Sequence, residues 1–280
     1  MDGDTVKLPK EVEVKLVRSP AVAGTFYPAS KQELERKVAS FLDDTVPQGT
    51  VPKALVVPHA GYIYSGSTAA LAYARLRPGR ATVRRVVVLG PTHRVALRGL
   101  ALDSAMAMAT PLGSVEIDHD AVESIAHLPQ VVTNAAAHAQ EHAIEVQLPF
   151  LQSILDDFKV VPVAVGNATA QEVAQAIEAL WGGPETLIVV SSDLSHYQSY
   201  RAAQSSDQST VQDILDLKML TNHSQACGAT PINGLLLAAA RNQLRPHLLG
   251  QCNSGDTAGD RARVVGYAAI AFTEAHHAAH

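Results

Sequence analysis

Three apolar runs of the sequence each end in side chains that could bind a metal or move a proton. His59 directly follows LVVP, His93 follows VVVLGPT, and Asp193 with His196 follows LIVVSS. Short apolar runs of this kind predict buried strands. In an open α/β sheet, the carboxyl ends of parallel strands face one crevice, where ligands bind. If the three strands run parallel, we expect these four side chains to meet at one edge of the sheet.

The sequence contains two cysteines, and their surroundings differ. Cys227 lies in QACGATPINGLLLAAA, directly before a predicted helix whose dipole favours a thiolate. Cys252 lies in a GQCNSGD loop with no comparable setting, and we treat it as incidental. Two histidines and one cysteine on separate loops, His59, His93 and Cys227, could bind a metal ion and leave positions open for water, substrate or dioxygen.

The segment AQEHAIEVQLPFLQSIL, residues 139–155, has helical spacing and is expected to bend near Pro149. In such a helix His138 and His142 share a face, although the H-E-x-x-H order of zinc proteases does not occur. His142 and Glu145 are expected to face the cleft or to hydrogen-bond neighbouring loops. We assign His142 to substrate binding.

The elements that must position these side chains alternate between short strands and helices. Strands are predicted at 53–58, 84–90, 159–166, 185–193 and 261–275, with a turn and a short strand near 113–118. Helices are predicted at 29–44, 65–76, 120–128, 139–155, 169–182, 205–220 and 230–241. This alternation predicts a three-layer α/β/α sandwich with a mostly parallel or mixed central sheet, whose last strand can run antiparallel. We expect one domain over residues 1–280, with a charged lead-in at 1–18 and a mobile tail at 276–280.

Composition excludes several classes of protein. Hydrophobic residues make up 47% of the 280 residues, which is enough for a sizeable core. The formal net charge is −5 and the cations are scattered, so neither nucleic acid nor a membrane surface is an expected partner. No apolar stretch approaches the ~20 residues of a membrane span, and the charged start is unlike a signal peptide. Two cysteines in a chain of this length indicate a reduced, cytoplasmic protein.

Six motifs occur in order between Val17 and Ala271: AGTFYP, PHAGYIYSG, LGPTHR, EHAIEVQLPF, SSDLSHY and CGATPI. Together they resemble the MEMO family, whose bacterial and archaeal members are also called AmmeMemoRadiSam system protein B. That family is similar in fold to the class III extradiol, LigB-like, non-haem iron dioxygenases. The resemblance therefore implies a three-layer α/β/α domain with one metal pocket.

The resemblance also implies roles for individual residues. It makes His59, His93 and Cys227 the metal ligands, so that a thiolate replaces the glutamate of the dioxygenase relatives. It places Asp193 and His196 in the same pocket. Aromatic side chains would flank the pocket and contact substrate, and these are Phe26, Tyr62 and Tyr64. Other members of the family carry tryptophan in place of Phe26 and of Tyr197.

The leading hypothesis is a metal-dependent oxidoreductase that uses dioxygen on a small aromatic or peptide-derived substrate. Fe(II) is the expected metal, with copper or zinc as alternatives. His196 would be the general base or acid, and Asp193 would orient it. By family association, AMMECR1-like and radical SAM proteins are expected partners.

Two alternatives stay open. The first is a non-catalytic module that binds a peptide, a phosphopeptide or a metal in signalling or redox control. The second is a cysteine hydrolase in which Cys227 is the nucleophile, served by His196 and Asp193. All three hypotheses use the same pocket.

Overall fold

The computed structural model describes residues 16–46 and 49–274, and a nine-stranded mixed sheet forms its centre. In the described ranges the strands are β1 (Val17–Arg18), β2 (Ala54–Val57), β3 (Arg85–Pro91), β4 (Leu100–Leu102), β5 (Ala107–Thr110), β6 (Gly113–Glu116), β7 (Val131–Thr133), β8 (Lys159–Val165), β9 (Thr186–Ser191), β10 (His196–Gln198), β11 (Leu244–Asn253) and β12 (Val264–Glu274). The order in the large sheet is β10-β12-β2-β9-β3-β8-β4-β7, with β11 paired to β12. A separate small sheet has the order β1-β5-β6.

Helices cover both faces of the large sheet. In the described ranges they are α1 (Lys31–Asp43), α2 (Tyr62–Tyr73), α3 (His119–Ala126), α4 (Ala135–Ala139), α5 (Leu148–Ile154), α6 (Ala170–Ala179), α7 (Tyr200–Leu215) and α8 (Ala229–Arg241). Helix α1 begins at the predicted cap, where the Ser30 side chain accepts the Glu33 N–H. None of the helices in this part of the chain is long and apolar enough to cross a lipid bilayer.

Alternate residues of each central strand enter two different cores. In β2, Leu55 and Val57 pack in the core formed with α1, α2 and α5, whereas Ala54 and Val56 pack on the opposite face with α6 and α8. This explains why the strand is an unbroken apolar run, since a strand covered on both faces has no polar side. The predicted three-layer α/β/α class is therefore confirmed.

The strands that carry the candidate ligands run parallel, as the sequence interpretation requires. β2 pairs with β9 in parallel, and β9 pairs in parallel with β3. His59, Asp193 and His93 therefore leave three neighbouring strands at one edge of the sheet. The last strand, β12, is antiparallel to β2, and β4 is antiparallel to β8, so the sheet is mixed.

The predicted helix over 139–155 is wrong in its first half. Helix α4 ends at Ala139, residues 140–144 are not helical, and a 3₁₀ turn at Glu145–Gln147 leads into α5. The break occurs because the Glu141 side chain accepts the N–H groups of His142 and Ala143, which a continuous helix would use for its own ladder. Pro149 does not cause the break. It lies in the first turn of α5, where a missing N–H has little cost.

Several strands lacked a recognisable pattern in the sequence. β4, β7 and β10 have three residues each, and β11 (LRPHLLGQCN) shows no alternation, yet it pairs with β12 along its length. Val17 and Arg18, which we assigned to the charged lead-in, form β1 and pair with β5. The rest of the predicted lead-in, residues 1–15, and the predicted tail at 276–280 lie outside the described residues.

The loop that carries His93 ends at a glycine with no room for a side chain, which gives a first prediction. Gly99 has φ +82°, and an added Cβ would lie 2.1 Å from the Gln130 carbonyl oxygen. Gly113 has φ +126° with no atom within 4 Å of an added Cβ. We expect Gly113→Ala to lower the free energy of unfolding by about 1–2 kcal/mol through backbone strain alone. Gly99→Ala should lower it by about 3 kcal/mol or more, because a clash adds to the strain.

Urea denaturation of both variants beside the unsubstituted protein measures these free energies. Equal losses in the two variants would contradict the packing described around Gly99.

Candidate metal centre

Three imidazoles face one another at the carboxyl edge of the large sheet. One ring nitrogen from each of His59, His93 and His142 lies within 4.8 Å of the other two. The ring centroids are 5.1 Å apart for His59 and His93, 5.3 Å for His59 and His142, and 4.7 Å for His93 and His142. His59 follows β2, His93 follows β3, and His142 lies in the loop between α4 and α5. The sheet thus brings together side chains that are far apart in sequence.

The tautomer of His59 follows from its hydrogen bonds. Its Nδ1 lies 3.0 Å from the Ser191 hydroxyl oxygen. That hydroxyl donates its single proton to the Ala143 carbonyl at 2.6 Å and accepts from the Gln147 side-chain amide at 2.8 Å. Nδ1 of His59 must therefore carry the proton and donate, which leaves Nε2 with a free lone pair.

The Glu141 carboxylate orients the ring of His93 and lies close to that of His142. Its Oε1 lies 2.9 Å from His93 Nδ1 and 3.2 Å from His142 Nδ1, and its Oε2 accepts the His93 backbone N–H at 2.6 Å. Burial raises the pKa of Glu141, but hydrogen bonds from the His93 side chain and backbone and from the Ala143 N–H outweigh it and lower the pKa to about 2. An ionised carboxylate only accepts, so His93 donates from Nδ1 and keeps a lone pair on Nε2.

Burial keeps two of the imidazoles neutral. It lowers the pKa of His142 to about 4; the Glu141 charge opposes this effect, and the charges of His93 and Arg94 add to it. Burial also lowers the pKa of His59 well below its ordinary value, helped by the neighbouring histidines. Neutral imidazole is the form that binds metals, so these rings need no deprotonation before binding near neutral pH.

Cys227 lies beside His59, but the group of three mutually close imidazoles does not include it. Its Sγ is 3.2 Å from His59 Nε2. A nitrogen and a sulfur that share one ion at usual bond lengths are about 3.1–3.6 Å apart, so this spacing suits a pair of ligands. The loop is held in place by the N–H of Gly228, which donates to the Ser192 hydroxyl, and by the N–H of Cys227, which donates to the Asp193 carbonyl.

The protonation state of Cys227 differs from the one expected of a helix N-terminus. Burial raises the pKa of this thiol to about 12, and the nearby Asp193 carboxylate adds to the effect. The metal-free protein therefore holds a neutral thiol, and a bound cation would supply the charge that favours the thiolate. A thiol with such a pKa is a poor nucleophile, which disfavours the cysteine hydrolase.

Asp193 and His196 lie close to the cluster, but their contacts differ from the expected ones. Oδ1 of Asp193 accepts the His59 backbone N–H at 2.7 Å. Burial raises the pKa of Asp193 to about 7, although hydrogen bonds from the His59 and Ala60 N–H groups act to lower it. The Nδ1–H of His196 donates to the Leu194 carbonyl at 2.9 Å, so this carbonyl orients the ring, and Nε2 keeps a lone pair. Burial lowers the pKa of His196, which favours the neutral base.

The three aromatic residues predicted to flank the pocket occupy different surroundings. The Phe26 ring lies against His142, with centroids 4.6 Å apart. Tyr62 is buried among core aromatic rings, and its hydroxyl donates to the Val146 carbonyl at 2.6 Å. Tyr64 is exposed. Of the three, Phe26 is the one that contacts the histidine cluster directly.

A buried arginine holds the loop that carries Glu141 and His142, and sequence reasoning missed it. Arg18 donates to the backbone carbonyls of His138 and Glu141 at 2.9 and 2.6 Å and to the Glu145 carboxylate at 2.5 Å. The Glu145 carboxylate also accepts from Ala21 N–H, Val22 N–H and the Tyr27 hydroxyl. Glu145 therefore binds the neighbouring loop and does not share the cleft with His142. A lone arginine near a charged lead-in carries no periodic signal that marks it as buried.

These features define a class of protein: an α/β/α sandwich with a candidate metal site of three histidines at the carboxyl edge of its parallel strands, beside a cysteine. A family model described as Memo-like protein matches residues 18–271. The chain therefore belongs to the Memo-like family, as its six motifs predicted.

Relatives of this family match the chain along almost its whole length. A MEMO1 family protein of Aquifex aeolicus is 37% identical over 270 residues, which cover 91% of this chain and 99% of the relative. A MEMO1 family protein of Ignicoccus hospitalis is 36% identical over 284 residues, which cover 92% of this chain and 99% of the relative. The crystal structure of uncharacterized protein JW3007 from Escherichia coli K12 aligns at a TM-score of 0.47 with 13% identity, over 78% of this chain and 98% of that one. This last similarity is too low to carry an inference.

The position of Glu141 predicts its effect on metal binding. We expect Glu141→Gln to weaken metal affinity about 10–100-fold, because the amide NH₂ would face N–H donors and release the ring of His93. Competition against a chelating dye under anaerobic conditions measures the affinity. Glu172→Gln is the control, because Glu172 also has its pKa lowered to about 2, by Arg98 and Thr169, but lies at the start of α6. Equal affinities in the two variants would contradict the role of Glu141.

Proposed function

We propose that this protein is a metal-dependent oxidoreductase that uses dioxygen on a small aromatic or peptide-derived substrate. Fe(II) is the proposed metal, and copper or zinc would also suit the donor atoms. The observation that carries the proposal is the convergence of His59, His93 and His142, with Cys227 in contact with His59. Family membership supports a shared site but names no reaction.

The residues present fit a metal of this kind. Nε2 of His59 and Nε2 of His93 are unprotonated because their Nδ1–H groups donate to oxygen. The Cys227 thiol, which donates to His59 Nε2, would lose its proton when a metal binds between them. Cys227 Sγ is the proposed third ligand, and His142 lies where it can bind the metal or a substrate. Neutral nitrogens with one sulfur suit the borderline and softer metals better than Mg²⁺ or Ca²⁺. A bound metal would supply a Lewis-acidic, redox-active centre where substrate and dioxygen meet.

The surrounding residues would manage protons and access. His196 has a free Nε2 and a pKa lowered by burial, so it can take a proton from a bound substrate. The Phe26 ring packs against one side of His142, where it would limit the access of water. The His93 side chain is 30% exposed, whereas His59 is 1% exposed. Substrate would therefore approach from the side of His93.

Metal content after anaerobic purification tests the metal site. We expect the unsubstituted protein to retain about one iron per chain, and His59→Ala and Cys227→Ser to lose most of it, since each removes a ligand. Cys252→Ser is the matched control: its thiol is also half-buried and lies 3.0 Å from a hydroxyl, that of Thr68, away from the cluster. Elemental analysis of the four proteins measures the iron.

Oxygen uptake by the iron-loaded protein tests the reaction. Consumption should depend on a substrate drawn from catechols, phenols and short peptides, and should fall at least about tenfold in His196→Ala.

The proposed ligand set is wrong if the protein retains no iron or copper, or if Cys227→Ser retains as much metal as Cys252→Ser. Retained metal without substrate-dependent uptake would favour the binding module.

A further inference from the structure

We infer that the substrate is a small organic carboxylate, whose apolar body lies in the cavity beside His93 and Cys227 and whose carboxylate is bound by Arg94. This inference names the substrate class of the proposed oxidoreductase and rests on that function. It comes from the shape and the charges of the cavity that adjoins the histidine cluster.

The cavity has a volume of about 600 Å³ and opens directly onto two candidate ligands, His93 and Cys227. Its walls include the apolar side chains of Val95, Leu97 and Val165. Ligand pockets of proteins span roughly 300–1,000 Å³ and are mostly apolar with a few placed polar groups. The cavity is open and has ample room for a molecule with an apolar body such as a substituted ring.

The charges around this cavity have one sign. Arg94 follows His93 and lines the cavity, and none of the cavity-lining residues is acidic. Among residues 16–46 and 49–274, no hydrogen bond or ion pair engages the Arg94 guanidinium. Arg98, four residues further along the loop, is instead paired with both carboxylate oxygens of Glu172. A cation without a carboxylate partner next to a metal centre attracts an anion.

The other polar groups of the cavity are already engaged or are uncharged. His223 donates its Nδ1–H to the Cys227 carbonyl at 3.1 Å, so it fixes the loop of the thiol and does not meet an anion from that nitrogen. Asn167 is uncharged, and its carbonyl accepts from Arg98. Arg94 is therefore the charged donor that a substrate meets beside the metal centre.

A carboxylate fits this donor better than a phosphate group. The planar guanidinium offers two parallel N–H donors that match the two oxygens of a carboxylate. A phosphate group carries about two charges at neutral pH, whereas no lysine and no second arginine lines this cavity. One cation balances one carboxylate.

Benzoate and benzamide test the inference because they have the same shape and differ in charge. Calorimetry measures the binding of each compound to the whole protein, once metal-free and once loaded with Zn²⁺. Zn²⁺ is chosen because it is not redox-active and so would not support oxidation of the compound. We expect benzoate to bind more tightly than benzamide in both forms. Arg94→Ala should weaken the binding of benzoate at least about tenfold and leave the binding of benzamide unchanged. Arg94→Lys should restore part of the affinity for benzoate. Arg98→Ala is the matched control and should bind benzoate like the unsubstituted protein.

The inference is overturned if benzoate does not bind, if it binds no better than benzamide, or if Arg94→Ala binds it normally. Equal losses in Arg94→Ala and Arg98→Ala would also overturn it, since they would indicate general surface charge. Binding that needs Zn²⁺ and ignores Arg94 would make the carboxylate a metal ligand only. Failure of the oxidoreductase proposal gives a different result. The protein then retains no iron or consumes no oxygen, while the Arg94-dependent benzoate binding persists in the metal-free protein.

Discussion

Parallel pairing of β2, β9 and β3 is the constraint on which the candidate metal centre depends. It carries His59, Asp193 and His93 to the same edge of the sheet, although long stretches of chain separate them. An antiparallel strand at any of these places would send its side chain to the opposite edge. Because both faces of these strands are buried in separate cores, the edge is a rigid platform for ligands.

Orientation of the rings depends on a further layer of buried hydrogen bonds. Ser191 sets the tautomer of His59, and the ionised Glu141 carboxylate does the same for His93. Arg18 donates to the Glu141 carbonyl, and the Glu141 carboxylate in turn accepts from His93. Arg18 therefore supports the candidate metal centre indirectly, through the loop that carries Glu141. These groups would lower the entropy cost of metal binding because they fix the rings of His59 and His93 before a metal arrives.

The sequence was sufficient for features that depend on local pattern. Apolar runs predicted the central strands. The polar residues just past the ends of these strands are His59, His93, Asp193 and His196. Features that depend on tertiary contacts were not predictable in this way. The helical pattern of 139–155 was overridden where the Glu141 side chain captured backbone N–H groups, and β11 forms because β12 offers a partner along its length. The raised pKa of Cys227 reflects burial, which a motif before a helix does not reveal.

Anomalous diffraction from crystals grown without oxygen, collected at the iron and copper absorption edges, tests the central claim most directly. We predict one peak per chain, bonded to Nε2 of His59, Nε2 of His93 and Sγ of Cys227. A peak elsewhere in the molecule would contradict the account. So would the absence of a peak at both edges, with the three side chains in contact only with protein atoms.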